Sequence, residues 1–122
     1  PSKNMTKEFD NFIKKRLNIL ANLNIDTKKV WFDPGIGFGK TLNQNLHLMR
    51  SLKKYIDRNI QILLGSSRKS WINFIDPSKT DERLGGSLAS VAHALSQGVN
   101  TFRIHDVQET NQMIKVLKVL NR

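Results

Sequence analysis

With 122 residues, 39% of them hydrophobic, the chain is long enough for one domain with a core and short for most α/β enzymes. It has no cysteine, no signal-peptide pattern and no apolar run near the roughly 18 residues of a membrane span, so we expect a cytoplasmic protein without disulfides, thiolate metal sites or a membrane partner. The formal net charge of +10 suggests an anionic partner, but the cations are spread along the chain with few aromatics between them, which argues against nucleic acid.

Helical spacing of apolar residues over 5–20 predicts an amphipathic first helix. Its apolar face consists of Phe9, Phe12, Ile13, Leu17 and Leu20. Asn24 is placed to end this helix, because asparagine, after glycine, best tolerates the left-handed conformation. A short run of large apolar residues at 30–32 then fits a buried strand.

A glycine-rich loop follows this strand. Pro34 and Gly35 must end the strand, so Asp33 lies at its carboxyl end, which is the functional edge of α/β folds. With Gly37 and Gly39 the loop glycines are spaced G-x-G-x-G, which fails the dinucleotide-binding pattern, and Pro34 stands where a Walker A loop needs glycine. A glycine-rich turn without a ligand is the alternative interpretation of this stretch alone.

Thr41 and Gln44 have the spacing of a capping box and predict the start of a second helix. Its buried stripe is formed by Leu46, Met49, Leu52 and Ile56. A second buried strand is predicted over 60–64, and it is followed by small polar and basic residues at 65–70. Hydroxyls, backbone N–H groups and two cations in this loop suit a carboxylate or phosphate, and a solvated basic loop is the alternative.

Residues 71–79 are predicted to be irregular because an Asp-Pro pair interrupts them. A third helix is predicted from Thr80 or Asp81 to Gly98, with small residues over 85–92. Each of the two glycines there destabilises a helix by about 1 kcal/mol relative to alanine, so we expect a neighbour to approach both closely. His93, which lies later in this helix, is interpreted as structural.

A third strand is predicted over 99–104, ending at Arg103 and His105. Residues i and i+2 of a strand point to the same side, so these two cation-capable side chains should converge. Asp106 and Glu109 have the spacing of a cap and its third-position acid for a final helix. The stripe of that helix is Met113, Ile114, Leu117 and Leu120.

The predicted order alternates helices and strands, as in a parallel α/β unit with right-handed crossovers. Blocks at 33–41, 67–70, 82–87 and 103–107 closely resemble dihydropteroate synthase of folate biosynthesis. The resemblance covers essentially this whole chain but only the carboxyl-terminal half of the family's protein. It implies part of a TIM (β/α)8 barrel, with about three carboxyl-terminal βα units and parallel strands, and makes residues 1–122 one part of a single pterin-binding barrel domain.

The reaction implied by this resemblance is a group transfer. 6-Hydroxymethyl-7,8-dihydropterin pyrophosphate condenses with 4-aminobenzoate to give 7,8-dihydropteroate and pyrophosphate. In the family the pyrophosphate departs before the amine attacks, so positioning and electrostatics carry the rate and no covalent nucleophile is needed. The resemblance also implies a homodimer of the full-length enzyme and a sulfonamide target, and we expect the 122-residue chain alone to be inactive.

The resemblance also implies roles for individual residues. It assigns Asp33, Lys69 and Arg103 to the pterin, Arg103 and His105 to the pyrophosphate, and Phe38, Ser67 and Lys69 to the aminobenzoate. These roles are chemically compatible with the side chains. A carboxylate accepts two N–H bonds from an aminopyrimidine edge, an ammonium donates to its carbonyl, and a flat guanidinium stacks on the ring.

The full-length enzyme is expected to use Mg²⁺, with its ligands upstream of this segment. The three histidines, His47, His93 and His105, have no metal-ligand spacing, so we expect no metal site here. Two alternatives stay open. One is a related pterin-binding methyltransferase module, which the 67–69 and 103–105 blocks together disfavour, and the other is a non-catalytic basic module whose nucleic-acid binding would depend steeply on salt.

Overall fold

The structure is a computed structural model that describes residues 4–122. The described chain forms α1 (Met5–Asn22), α2 (Leu42–Arg50), α3 (Leu52–Ile56), β1 (Leu63–Leu64), α4 (Ser70–Ile75), α5 (Leu84–Ser96), β2 (Thr101–Phe102) and α6 (Val107–Leu120), with short 3-10 helices at Thr27–Lys29 and Thr80–Glu82. Among the described residues, no helix combines the length and apolar character needed to cross a membrane.

Two strands form the sheet, and they are parallel as predicted. Leu63 of β1 lies opposite Thr101 of β2. Phe32 adds one isolated parallel bridge to Ile62, so the three predicted extended segments contact each other in chain order. All three are shorter than predicted, and the first is reduced to that bridge. A helix-rich chain around a parallel sheet is consistent with part of a (β/α)8 barrel.

Three helices end in the same way, each just before one of these extended segments. Asn24, Asn59 and Gly98 have φ of 56°, 62° and 98°. After each, the next residue donates its N–H to the carbonyl five positions earlier at 3.0 Å, which is the Schellman motif. The predicted stops at Asn24 and Gly98 are confirmed, and Asn59 makes a third stop that the sequence reasoning did not single out.

The second helix starts as predicted but does not continue as one helix. Thr41 Oγ1 accepts from Gln44 N at 3.2 Å, and Gln44 Oε1 accepts from Thr41 N at 2.9 Å, which confirms the capping box. Ser51 then separates α2 from α3, and its hydroxyl donates to the carbonyl of His47 at 2.7 Å. Such back-bonding by serine competes with the helical ladder and favours a bend.

The prediction that 71–79 is irregular is wrong for its first half, which belongs to α4. Trp71 and Ile72 are buried, and Trp71 Nε1 donates to the carbonyl of Ser66 at 3.0 Å. This packing stabilises a helix that local composition does not announce, and the Asp-Pro pair ends the helix instead of preventing it. The next α-helix correspondingly begins at Leu84, after a 3-10 turn, and not at 80 or 81.

One face of α5 packs closely through small residues. A Cβ placed on Gly86 would lie 2.6 Å from Ile72 Cγ2, so the expected close approach is confirmed there. At Gly85 the same expectation is wrong, since none of the described residues comes within 4 Å of such a Cβ. His93 is structural as interpreted, with Nε2 2.9 Å from the carbonyl of Met49 on α2.

The final helix is less buried than its predicted stripe suggests. Met113, Ile114 and Leu117 are half-buried, and Leu120 is exposed. The one fully buried residue among those described on α6 is Thr110. An apolar face of this helix therefore lies open on the present chain.

Tyr55 anchors α3 to α1 at the centre of the core. Its side chain is fully buried, its ring meets Phe9 edge-on at 4.8 Å between centroids, and its hydroxyl donates to the carbonyl of Thr6 at 3.2 Å. Burial, together with the nearby Asp10 carboxylate, raises the pKa of Tyr55 well above its usual value near 10.

Tyr55→Phe is expected to weaken the loss of stability at alkaline pH. The unfolded phenol ionises near pH 10 while the folded one stays protonated, so the folded state binds more protons above pH 10. The stabilisation from Tyr55 is therefore complete below pH 10 and falls as the pH rises further. Urea unfolding of wild type and variant in the full-length protein, between pH 9 and 11, measures the difference, and parallel pH dependences would contradict it.

Candidate functional site

Three loops meet at the carboxyl ends of the parallel strands. They are the glycine loop at 33–41, the loop after β1 at 65–69 and the segment after β2 at 103–106. Because parallel strands end at the same edge of a sheet, side chains from all three loops are brought together. Hydrogen bonds link each of the three loops to the other two.

The glycine loop is left-handed at every second residue. Gly35, Gly37 and Gly39 have φ of 71°, 88° and 62°, which other residues rarely adopt. Space is also restricted at Gly37, where a Cβ would lie 2.8 Å from Cδ of Lys69. The glycine therefore lets the lysine of the neighbouring loop lie across the glycine loop.

Lys69 contacts the glycine loop at two points. Its ammonium donates to the carbonyl of Ile36 at 2.5 Å and lies 4.3 Å from the ring centroid of Phe38, a cation–π contact. Phe38 itself is 66% exposed. Burial lowers the pKa of Lys69, and the carboxylate of Asp33 opposes that shift. A partly dehydrated cation thus lies beside an open aromatic ring.

Asp33 has both carboxylate oxygens engaged. Oδ1 accepts from Gly35 N at 2.8 Å, and Oδ2 accepts from Arg103 Nη2 at 2.7 Å. The guanidinium also lies close to Gly65, where a Cβ would be 3.0 Å from Nη2. The structure therefore brings the predicted pterin residues Asp33, Lys69 and Arg103 to one edge, with Asp33 already holding the arginine.

His105 and Ser67 form a separate contact at this edge. Ser67 is buried, and its hydroxyl lies 3.0 Å from His105 Nδ1, while the imidazole is exposed. The aminobenzoate contact of Ser67 stays a prediction, and in this structure the Ser67 hydroxyl is hydrogen-bonded to His105. Arg103 contacts Asp33 and His105 contacts Ser67, so their convergence on one ligand stays a prediction.

Arg68 is a site-building residue that the sequence reasoning did not single out. Its φ is 56°, its N–H donates to Ser87 Oγ at 2.8 Å, and its guanidinium makes two bonds of 3.1 and 2.5 Å to Asp106. The hydrogen bond from Arg68 lowers the pKa of Asp106. Asp106 precedes α6 but makes no side-chain cap, so the predicted capping by Asp106 and Glu109 is wrong because the arginine holds the carboxylate.

Arg83, just before α5, stabilises the loop at 65–69. It donates to the carbonyl of Arg68 at 2.9 Å and to the carbonyl of Ser78 at 2.7 Å. Arg83 belongs to the 82–87 block, which is the sequence signal that could have pointed to it. The contacts of Arg68 N with Ser87 and of Arg68 O with Arg83 fix the backbone immediately before Lys69.

The family comparison agrees with this geometry. A family model described as "Pterin binding enzyme" matches residues 1–105. The chain belongs to the pterin-binding enzyme family.

Named relatives of this pterin-binding chain are dihydropteroate synthases. It is 34% identical over 121 residues to the dihydropteroate synthase of Clostridium beijerinckii, which covers 98% of this chain and 45% of that protein. It is 40% identical over 94 residues to the Escherichia coli enzyme, which covers 77% of this chain and 33% of that protein. The chain therefore spans less than half the length of these relatives.

Solved dihydropteroate synthases share the fold. The Clostridium difficile enzyme in the presence of pteroic acid superposes with a TM-score of 0.90 at 31% identity, over 100% of this chain and 46% of that one. The Yersinia pestis enzyme in a sulfonamide drug complex gives 0.91 at 27% identity, over 99% and 44%. Since these enzymes are TIM barrels, the pterin-binding chain corresponds to part of such a barrel.

Side chains of the metal-ligand types are not clustered in the described part of this pterin-binding chain. Among residues 4–122, no three side chains of the His, Cys, Asp and Glu types lie together as a ligand group. The Mg²⁺ expected for the full-length enzyme stays a prediction.

Proposed function

We propose that this chain is the carboxyl-terminal part of a dihydropteroate synthase. The whole enzyme would transfer the pterinylmethyl group of 6-hydroxymethyl-7,8-dihydropterin pyrophosphate to 4-aminobenzoate. The observation that carries the proposal is the contact of Asp33 with Arg103, 70 residues apart in sequence, beside the ammonium of Lys69. The Clostridium difficile relative was solved in the presence of pteroic acid, which supports a pterin ligand at this edge.

The pterin would bind through its polar edge and its face. Asp33 accepts N–H bonds from the aminopyrimidine edge, Lys69 donates to the pterin carbonyl, and Arg103 stacks on the ring. Arg103 now occupies Oδ2 of Asp33, so the guanidinium moves from the carboxylate to the ring face when the pterin binds. The ligand replaces one charge-assisted hydrogen bond with others, which limits the cost of that movement.

The aminobenzoate would bind against Phe38, whose ring is exposed beside the Lys69 ammonium. An aromatic acid suits this pair, since its ring packs on the phenyl group and its carboxylate meets the cation. Ser67 would contribute to this pocket only after releasing His105. The Yersinia pestis relative was solved as a sulfonamide drug complex, which supports the proposal that sulfonamides act here.

The transfer would proceed without a covalent enzyme intermediate. The bond between the pterin methylene carbon and the pyrophosphate oxygen breaks, and its electron pair leaves with pyrophosphate. The aminobenzoate nitrogen then forms the new bond to the methylene carbon and releases a proton. Arg103 and His105 would stabilise the leaving charge, so preorganised positive charge supplies the catalysis.

The fold proposal is that three carboxyl-terminal βα units of the barrel lie in residues 1–122. Its support is the threefold repeat of a helix stop followed by an extended segment, at 24–32, 59–64 and 98–102. We also propose a cytoplasmic homodimer for the full-length enzyme. The exposed apolar residues of α6, which include Val116, Val119 and Leu120, support burial of this helix in a larger assembly.

A binding experiment on the full-length protein can distinguish the roles of Lys69 and His105. Lys69→Ala is expected to weaken the binding of both the pyrophosphate-bearing pterin and a pterin that lacks pyrophosphate. His105→Ala should lower the affinity for the pyrophosphate-bearing pterin by about tenfold or more. The affinity for the pterin without pyrophosphate should stay nearly unchanged, because the imidazole contacts only the pyrophosphate. Calorimetry with both ligands measures this, with His47→Ala as a histidine control outside the site. Equal losses for both ligands in His105→Ala would show that its role is misassigned.

A further inference from the structure

Lys40 belongs to the glycine loop, takes part in none of the proposed substrate contacts, and folds its side chain back onto the loop backbone. The ammonium of Lys40 donates to the carbonyl of Gly35 at 2.7 Å and to the carbonyl of Phe38 at 3.3 Å. These two carbonyls mark the beginning and the end of one turn, which is closed by the N–H of Phe38 on the Gly35 carbonyl at 3.1 Å. One cation therefore joins both ends of the turn that carries the aromatic ring.

Asn45 of α2 completes the support from the other side. Its Oδ1 accepts from Gly37 N at 2.9 Å, and the side chain is 3% exposed. Apart from the bond between Phe38 N and Gly35 O, the hydrogen bonds that the structure describes for the backbone of this turn are made with side chains. Lys40 donates to the first and last carbonyls of the turn, Lys69 donates to the carbonyl of Ile36, and Asn45 accepts from an N–H group.

The ammonium of Lys40 is held in a tight and partly dehydrated place. A Cβ on Gly35 would lie 3.0 Å from Nζ, so the lysine packs directly under the loop backbone. Burial lowers the pKa of Lys40, and the carboxylates of Asp33 and Glu8 oppose that shift. A cation held against this desolvation, with two carbonyl acceptors, orders a segment whose alternate glycines would otherwise leave it many conformations.

We propose that Lys40 is a positioning residue for the aromatic acid substrate. It fixes the place of Phe38 by holding both ends of its turn, and it does not itself touch substrate. Asp33 shares one hydrogen bond with this turn, from Gly35 N, but it is also held outside the turn by Arg103 and by the end of a strand bridged at Phe32. Loss of Lys40 should therefore act more strongly on the aminobenzoate side of the site than on the pterin side. This inference rests on the proposed synthase function.

The first test compares Lys40→Met with Lys40→Arg in the full-length synthase that contains this chain. Methionine keeps the apolar stem and removes the donors, whereas arginine keeps a charged donor. Lys40→Met is expected to raise the KM for 4-aminobenzoate at least about tenfold, with pterin affinity within about threefold of wild type, and Lys40→Arg to recover most of the KM. Lys15→Met, on the exposed face of α1, is the matched control and should behave as wild type. An unchanged KM in Lys40→Met, or an equal loss of pterin affinity, would overturn the proposal.

A second measurement does not depend on catalysis. Amide hydrogen exchange at Phe38, whose N–H closes the turn, is expected to be at least about tenfold faster in Lys40→Met than in wild type. Unchanged exchange would also overturn the role of Lys40. If the wild-type protein proved not to be a synthase, the proposed function would fail, and the exchange data would still report on the lysine. Should Lys40→Met fail to fold, Lys40→Gln keeps a neutral donor group and loses the charge. It is expected to give intermediate values of both KM and exchange, and wild-type values in both would be the contradicting result.

Discussion

Asp33→Asn in the full-length protein is expected to reduce pterin affinity and synthase activity by orders of magnitude. The carboxylate offers two acceptor oxygens to the two donors of the aminopyrimidine edge, whereas the amide offers one acceptor and places its own donor against the other. The loss should be about 2 to 4 kcal/mol. The free protein meets the same conflict, since the two oxygens of Asp33 now accept from Gly35 N and from Arg103.

Calorimetry with a pterin ligand measures the affinity of Asp33→Asn, and circular dichroism checks that the variant is folded. Asp57→Asn is a matched control, because Asp57 is exposed on the surface in an i,i+4 pair with Lys53. Surface pairs of this kind contribute little, so the control should bind pterin as wild type does. Pterin affinity of Asp33→Asn within about threefold of wild type would contradict the assignment.

Features that depend on neighbours in sequence could be predicted well. The left-handed stops at Asn24 and Gly98 and the capping box of Thr41 and Gln44 require only a few consecutive residues, and the structure has all of them. The positions of α1 and α6 and of the parallel contacts followed from the same local periodicity, whereas α4 was missed. Fold class was therefore accessible from the sequence, supported by the resemblance in the four blocks.

Features that depend on distant residues could not be predicted. Gly85 and Gly86 are indistinguishable by composition, and only the second meets Ile72 of α4. Asp106 has the spacing of a helix cap, but Arg68, 38 residues earlier, takes its carboxylate. In each case a partner from another segment decides between two local possibilities that the sequence leaves equal.

The site shows the same division. Placing Asp33 and Arg103 at one edge follows from parallel strands, whose carboxyl ends lie on the same side. Two further facts follow only from side-chain geometry. Without a ligand, the Asp33 carboxylate accepts a hydrogen bond from the Arg103 guanidinium, and Ser67 is buried and bonded to His105. The consequence is mechanistic, because ligand binding at this edge replaces existing contacts as well as adding new ones.

The 122-residue chain by itself is expected to have no synthase activity. It belongs to a family whose matched relatives are more than twice as long, and its described residues form a two-strand parallel sheet with one added bridge. A complete barrel of this type has eight strands and no open edge. Here the segment at Phe32 and strand β2 form the two outer edges of the sheet, and neither pairs with a further strand among the described residues. Exposed apolar side chains, including Trp31 and Leu120, add unpartnered surface.

We therefore expect the isolated chain to be partly disordered or to self-associate through its open edges and the apolar face of α6. Sedimentation velocity reports the association, amide exchange reports the order of the sheet, and an assay for dihydropteroate reports activity, each with the full-length protein as the control. Full-length protein should be active and well protected in the same assays. A monomeric, well-protected 122-residue chain that makes dihydropteroate would overturn both the partial-barrel argument and the expectation that further ligands lie outside this segment.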